Sequence, residues 1–222
     1  MSKIYQIAID GPAGAGKSSV AKLLAKKLGI TYLDTGAMYR AIGLAAVRKG
    51  VSTDDETALA GLIDAVRLDV DYRDGVFMVW LDGVDVSAEI RTGEAAMAAS
   101  AVSKHKAVRA RLVAMQQEIA RGRSVVMEGR DICSVVLKDA KYKYFVTAKP
   151  EERAKRRFEE LCAKGDAAAS YERILFEVNA RDREDSTREN SPLAAGAGTR
   201  IVDTTDMTLE QAADEIIKDI EQ

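Results

Sequence analysis

Ile7-Ala8-Ile9-Asp10-Gly11-Pro12-Ala13-Gly14-Ala15-Gly16-Lys17-Ser18-Ser19 is the stretch whose reading decides the fold. Before it, Lys3 to Ile9 reads as a short apolar strand. After it, Ser18 to Leu28 reads as an amphipathic helix with Val20, Leu23, Leu24 and Leu28 on one side. Between them, Gly11 to Ser18 fits the pattern G-x-x-x-x-G-K-[ST]. Glycines let such a loop curl until its N–H groups point inward at phosphate oxygens, where a Cβ would obstruct them. A helix beginning near Gly16 adds the positive end of its dipole. In this pattern the lysine, Lys17, reaches the β- and γ-phosphates, and the Ser18 hydroxyl ligates Mg²⁺. Gly11, Pro12, Ala13, Gly14, Ala15, Gly16, Lys17, Ser18 and Ser19 are therefore the expected donor-nucleotide residues, with Ser18 the metal ligand. A dinucleotide fingerprint is excluded, because Gly14-Ala15-Gly16 runs into Lys17-Ser18-Ser19 with no third glycine at the required offset.

Working outward, Ile30 to Leu33 reads as a second strand, ending at Asp34-Thr35-Gly36-Ala37-Met38-Tyr39-Arg40, with a helix through Ala41, Leu44, Ala45 and Val47. Thr53-Asp54-Asp55-Glu56 reads as an N-cap opening a helix to about Ala65. The period then changes from helical to two: Val66, Leu68, Val70 and Tyr72 share a face, and Asp74-Gly75 and Asp82-Gly83 are turn signals around the strand Val76 to Leu81. A small antiparallel sheet is thus inserted into a β/α chain, as a candidate substrate-binding element. Helical spacing resumes through Ala95–Ser100 and Val102–Ala120. Strands follow at Ser124–Glu128, Tyr142–Thr147 and Arg200–Asp203, with helices from Pro150, from Tyr171 into Arg188, and from a Thr208-x-x-Gln211 capping box. Alternating strands and helices predict an α/β fold with a doubly wound parallel sheet, helices on both faces and the ligand at the strands' carboxyl ends.

Composition narrows the class. The 222 residues suit one α/β domain, and 33 Lys+Arg against 35 Asp+Glu leave a formal charge of -2. That balance provides no global attraction to nucleic acid or anionic membrane, so anion binding must be local. Two cysteines, Cys133 and Cys162, exclude a disulfide framework. No signal-type segment precedes the first strand and no apolar run approaches the ~20 residues of a membrane span. A cytoplasmic protein without membrane partners is expected.

A triphosphate loop serves switches, motors and kinases alike. Here arginines recur at and beyond strand ends, among them Arg40, Arg109, Arg130, Arg157, Arg181 and Arg188. Phosphoryl transfer calls for such a set, since positive charge must neutralise oxygens on donor, transferred group and acceptor. Asp34-Thr35-Gly36-Ala37-Met38-Tyr39-Arg40, Glu89-Ile90-Arg91-Thr92, Glu128-Gly129-Arg130-Asp131 and Arg181-Asp182-Arg183-x-Asp185-x-x-Arg188 together resemble the bacterial cytidylate kinases, over essentially the whole chain. The resemblance implies a P-loop kinase fold and the reaction ATP + CMP ⇌ ADP + CDP with Mg²⁺, with dCMP also accepted and a monomeric enzyme that takes no nucleic acid.

It also implies roles. Ser100, Arg109 and Asp131 would surround the cytosine, Arg181 and Asp185 the sugar, and Arg40, Arg130 and Arg188 the acceptor phosphate, with Thr35 touching that phosphate. Lys17, Arg130, Arg157 and Arg188 would be the catalytic cations, with Arg153 and Arg157 closing as a lid. Glu128 stands where related kinases hold a Mg²⁺-bound water. The chemistry agrees for the base: the N4 amino group of cytosine is a donor that a carboxylate accepts. In this reading one domain, 1–222, has its core at about 1–36 and 122–222, an acceptor region with the inserted sheet at about 37–121, and a lid at about 153–170. Two alternatives remain. A metabolite kinase of the shikimate type would carry Asp-x-Asp where this chain has Asp34-Thr35-Gly36. A nucleotide-dependent switch would have no use for a second, arginine-lined nucleoside site. Three single residues are read as uninvolved: His105 as solvated surface, Trp80 as core of the inserted sheet, and Cys162 as structural or exposed.

Overall fold

The structure, a computed structural model, describes residues 4–187 and 192–221. Arg188 and Lys3 lie outside the described residues. Among those described, five parallel strands form the central sheet: β1 (Gln6–Asp10), β2 (Thr31–Asp34), β6 (Val125–Gly129), β7 (Tyr142–Thr147) and β8 (Arg200–Asp203), in the order β2-β6-β1-β7-β8. Their apolar runs are near-continuous because both faces are covered, and Ile7, Ala8, Ile9, Val125, Val126 and Met127 are wholly buried. Helix α1 (Lys17–Leu28) carries the chain leftward from β1 to β2, whereas every later crossover moves right. Right-handed crossovers in opposite directions place their helices on opposite faces. After β8, α8 (Leu209–Glu221) returns to pack on α1. Thr208 and Gln211 form the reciprocal cap at its start, Thr208 N–H donating to Gln211 Oε1 at 2.8 Å and Gln211 N–H to Thr208 Oγ1 at 3.2 Å.

Between β2 and β6 lie α2 (Thr35–Arg48), α3 (Glu56–Ala65), the antiparallel strands β3 (Leu68–Arg73), β4 (Val76–Leu81) and β5 (Val84–Asp85), then α4 (Gly93–Val102) and α5 (Lys106–Ala120). The inserted sheet, in the order β3-β4-β5, packs Tyr72 and Phe77 edge-on against Tyr32 of β2, with ring centroids 5.6 and 5.8 Å away. A π-helical turn, Ile132–Val136, follows β6, and α6 (Pro150–Ala163) and α7 (Tyr171–Thr187) connect β7 to β8.

Four expectations are corrected. The helix expected through Ala41 begins earlier: Asp34 caps α2 directly, accepting from Ala37 N–H at 2.8 Å, so Thr35 to Arg40 are already helical. The helix expected over Val102–Ala120 breaks at residues 103–105, letting α4 pack on α2 while α5 packs on α3. His105 is half-buried rather than solvated, and its Nε2 lies 2.7 Å from the Thr53 carbonyl oxygen, tying that break to the segment before α3. Trp80 is half-buried rather than core: the inward positions of β4 are Phe77, Val79 and Leu81, and strand alternation turns Trp80 to the other face.

Candidate active site

The register of the parallel strands sets Asp34, Glu128 and Ile9 side by side, with Asp10 beside Gly129, at the carboxyl edge of the sheet. The chain order reverses around β1, and the crevice opens there. It is a cleft of about 290 Å³ whose lining includes Lys17, Ser18, Thr35, Arg40, Ser100, Arg109, Glu128, Arg130, Asp131, Arg181 and Asp185. Every expected acceptor-site residue within the described chain is thus brought to one cleft. Arg188 is the exception, lying outside the described residues.

The donor side rests on a close backbone approach. At Gly11, φ is +148°, and an added Cβ would stand 1.9 Å from the Val146 carbonyl oxygen, so only glycine lets the loop cross the end of β7. Lys17 folds back under the loop, its Nζ donating to the Pro12 carbonyl at 2.7 Å. Burial, and secondly the Arg130 guanidinium, push the Lys17 ammonium down to about 7. Ser18 Oγ donates to Glu128 Oε1 at 2.5 Å, and the buried Tyr32 hydroxyl donates to the same oxygen at 3.0 Å.

This pair tests the expected metal. Among the described residues no cluster of three His, Cys, Asp or Glu could hold a cation alone. Mg²⁺ at a nucleotide needs no such cage: it takes one or two protein oxygens and completes its shell with phosphate and water. A serine hydroxyl beside a carboxylate, both hard oxygen donors at the foot of the loop, fits that demand.

The acceptor side is a chain of ion pairs. Arg40 Nη2 meets Asp34 Oδ2 at 2.9 Å, Arg109 Nη2 pairs with Asp131 Oδ2, and Arg130 Nε donates to Asp185 Oδ2 at 2.9 Å. Arg130 also donates from Nη1 to the Gly11 carbonyl at 2.7 Å, linking the two halves of the cleft. Arg181, one turn before Asp185 on α7, has its pKa lowered by burial and then by Arg130. Thr35 is buried, and its hydroxyl donates to the Glu128 carbonyl at 2.7 Å, leaving its lone pairs as acceptors.

The two expected lid arginines are placed unlike one another. Arg157 is half-exposed and pairs with Glu160 at 2.9 Å, and it is not among the residues that line the cleft. Arg153 is buried beneath the loop, donating to the carbonyls of Ala148 at 2.8 Å and Ala13 at 3.0 Å and pairing with Asp182. The residue that sequence reading passed over is Arg156. It donates to the Thr204 carbonyl at 2.6 Å and faces Gly16, whose added Cβ would stand 3.9 Å from Nη1. Helical phase alone does not single it out, since i+3 and i+4 both share a face with Arg153 and admit Arg157 equally. Asp10, 2% exposed at the end of β1, was also passed over; a carboxylate closing an apolar strand is a signal visible in the sequence.

Three similarities bear on this site. A family model described as "Cytidylate kinase" matches residues 7–222. A protein of Pelotomaculum thermopropionicum named "Cytidylate kinase" is 49% identical over 219 residues, covering 98% of this chain and 96% of that protein. One of Mycobacterium avium with the same name is 50% identical over 217 residues, covering 97% and 95%. Among solved structures, an uncharacterized protein from Eubacterium ventriosum superposes with a TM-score of 0.57 at 15% identity, covering 98% of this chain and 99% of that one, which speaks to the fold alone.

Proposed function

The chain belongs to the cytidylate kinase family, and from that membership we propose that it is a kinase transferring the γ-phosphoryl group of ATP to CMP, giving ADP and CDP. The observation that carries the reading is the union of Lys17 with the Arg109–Asp131 pair in one cleft. A phosphate-binding lysine and a carboxylate able to accept from a base amino group, lining one cleft with this many arginines, suit a site where two nucleotides meet. In this reading the loop N–H groups and Lys17 bind the donor phosphates, and Arg40, Arg130 and Arg188 neutralise the acceptor phosphate. Catalysis of this kind is positioning and electrostatic stabilisation, with no covalent enzyme intermediate. Ser18, with Glu128 behind it, would hold Mg²⁺, which would supply positive charge to neutralise the donor phosphates. Asp131 accepts from the cytosine N4 amino group, Arg109 and Ser100 meet the base's acceptor positions, and Arg181 and Asp185 hold the sugar.

The finer parts of the same proposal are a single domain with an acceptor region at about 37–121, use of dCMP as well as CMP, a monomeric enzyme, and action in the cytoplasm. Among the described residues, no helix is long and apolar enough to cross a membrane. The test is ATP consumption with Mg²⁺ and each of CMP, dCMP, UMP, AMP and GMP. Turnover should require an added monophosphate and favour CMP over UMP by about 10- to 1,000-fold, because uracil sets a carbonyl against the Asp131 carboxylate and leaves both unpaired. ATP hydrolysis indifferent to every monophosphate would overturn the reading in favour of a switch.

A further inference from the structure

Asp10 stands immediately before the phosphate loop in sequence, yet its carboxylate serves another segment. Oδ1 accepts from Ile132 N–H at 2.8 Å and Oδ2 from Cys133 N–H at 2.8 Å. These are the two residues directly after Asp131, in the first turn of the π-helical segment. Two adjacent N–H groups held by the two oxygens of one carboxylate leave that pair of peptides little freedom to rotate. They thereby hold the backbone of Asp131, which sits at φ −145°, ψ 27°. A second tie runs from the same segment, Arg130 Nη1 to the Gly11 carbonyl at 2.7 Å. Residues 130–133, which carry both an acceptor-phosphate cation and the base-facing carboxylate, are thus moored at two points to residues 10 and 11.

The residue type matters. An asparagine in the same volume offers one acceptor oxygen and would set its NH₂ against the second N–H, whereas a carboxylate accepts from both. Burial raises the Asp10 pKa from its ordinary value, while the two N–H bonds, and after them the Cys133 thiol, pull it back, so the group is kept at a desolvation cost that its hydrogen bonds partly offset.

We infer that Asp10 is a positioning residue for base recognition: it places Asp131 and Arg130 for the acceptor nucleotide, although its neighbours in sequence serve the donor. The inference rests on the reading of Asp131 as the group that faces cytosine.

The test is Asp10→Asn in the full chain, assayed below the variant's melting temperature. A misplacement on the order of 1 Å costs about 10²-fold in such sites. The KM for CMP should rise about 10- to 100-fold, and the ratio of kcat/KM for CMP over UMP should fall at least about fivefold. The KM for ATP should stay within about twofold. A lower melting temperature with the CMP KM and the CMP/UMP ratio unchanged would make Asp10 merely structural and overturn the inference. A parallel rise in both KM values would overturn it too, assigning Asp10 to the donor loop.

Should Asp10→Asn fail to fold, amide exchange in the unmutated protein decides. If the clamp and the base site are coupled, CMP must disfavour opening of the clamp, by reciprocity. Saturating CMP should slow exchange at Ile132 and Cys133 about tenfold, and a non-hydrolysable ATP analogue alone should leave it within about twofold. Unchanged exchange with CMP would overturn the inference. An unmutated protein inactive on CMP would overturn the parent reading and this one with it, whereas an active one beside an indifferent Asp10→Asn overturns this one alone.

Discussion

Lys17 is buried close to a like charge, and the chemistry of its site follows from that. Burial and Arg130 disfavour its ammonium, while Glu128 and Asp10 oppose them more weakly. ATP phosphates reverse the balance, so at pH 8 binding should draw a proton onto Lys17. Calorimetry of ATP binding in two buffers of different ionisation enthalpy should give an uptake approaching about one proton for the unmutated chain and near zero for Lys17→Met. Equal uptake in both would place the titrating group elsewhere. Stability carries the same signature. Between about 7 and the unfolded value of 10.5, the unfolded chain holds a proton that the folded chain lacks. Stability therefore rises with pH through that window and loses this contribution below it, and Lys17→Met should flatten the rise. The same variant should lose about 10²- to 10³-fold in turnover, as when one preorganised contact to developing charge is removed. Asp131 has a second predicted role in the fold. Its buried pairing with Arg109 means that Asp131→Asn should lower stability by about 1.5–3 kcal/mol, the worth of a hydrogen bond to a charged group, while narrowing the CMP/UMP ratio. An unaltered ratio in kinetic assays would remove Asp131 from base reading.

At the level of elements, the acceptor side depends on how closely α2 and α4 approach. A Cβ added at Gly43 would stand 2.8 Å from Ala98 Cβ and 2.9 and 3.0 Å from the Ala98 carbonyl carbon and the Ala99 nitrogen. Helix α4 presents Ala96, Ala99 and Ser100 to the cleft, so pushing it outward moves the cleft wall. Gly43→Ala should cost about 1–3 kcal/mol in thermal unfolding, as overpacking does, and raise the KM for CMP severalfold while sparing that for ATP. Unchanged kinetics would mean that α4 does not shape the acceptor pocket. These helices were legible from spacing and caps, because both are local energies. Their contacts were not. The break at residues 103–105 interrupts a continuous helical pattern because α4 and α5 have different partners. Arg156 and Arg157 differ by about 100° around α6, and only the packing of Arg153 beneath the loop decides which of them meets Thr204.

Across the whole molecule, the cleft joins residues that are far apart in the chain: Ser18 with Glu128 across 110 positions, Arg130 with Asp185 across 55. A ligand that binds the folded chain alone stabilises all of it. CMP at 100 times its Kd adds about 2.7 kcal/mol. For a chain of this length that corresponds to a rise of about 5–11 °C in Tm, and UMP at the same concentration should give less. A thermal scan showing equal shifts for CMP and UMP would count against a cytosine-reading pocket.

The sequence by itself determined the β/α alternation, the inserted hairpin sheet and the phosphate loop. Each of these is written in short-range terms: a period, a cap, a glycine where a Cβ cannot fit, or a motif whose chemistry requires its spacing. Tertiary structure alone decided the rest. It set Thr35 to bond the Glu128 carbonyl, turned Trp80 out of the core, drew His105 to Thr53, buried Arg153 and left Arg157 outside the cleft. It also brought the Asp10 carboxylate to the residues after Asp131, a contact across more than 120 positions. The reason is physical: a side chain's partner across a parallel sheet is fixed by strand order and register, and those follow from packing of the whole chain rather than from its local pattern.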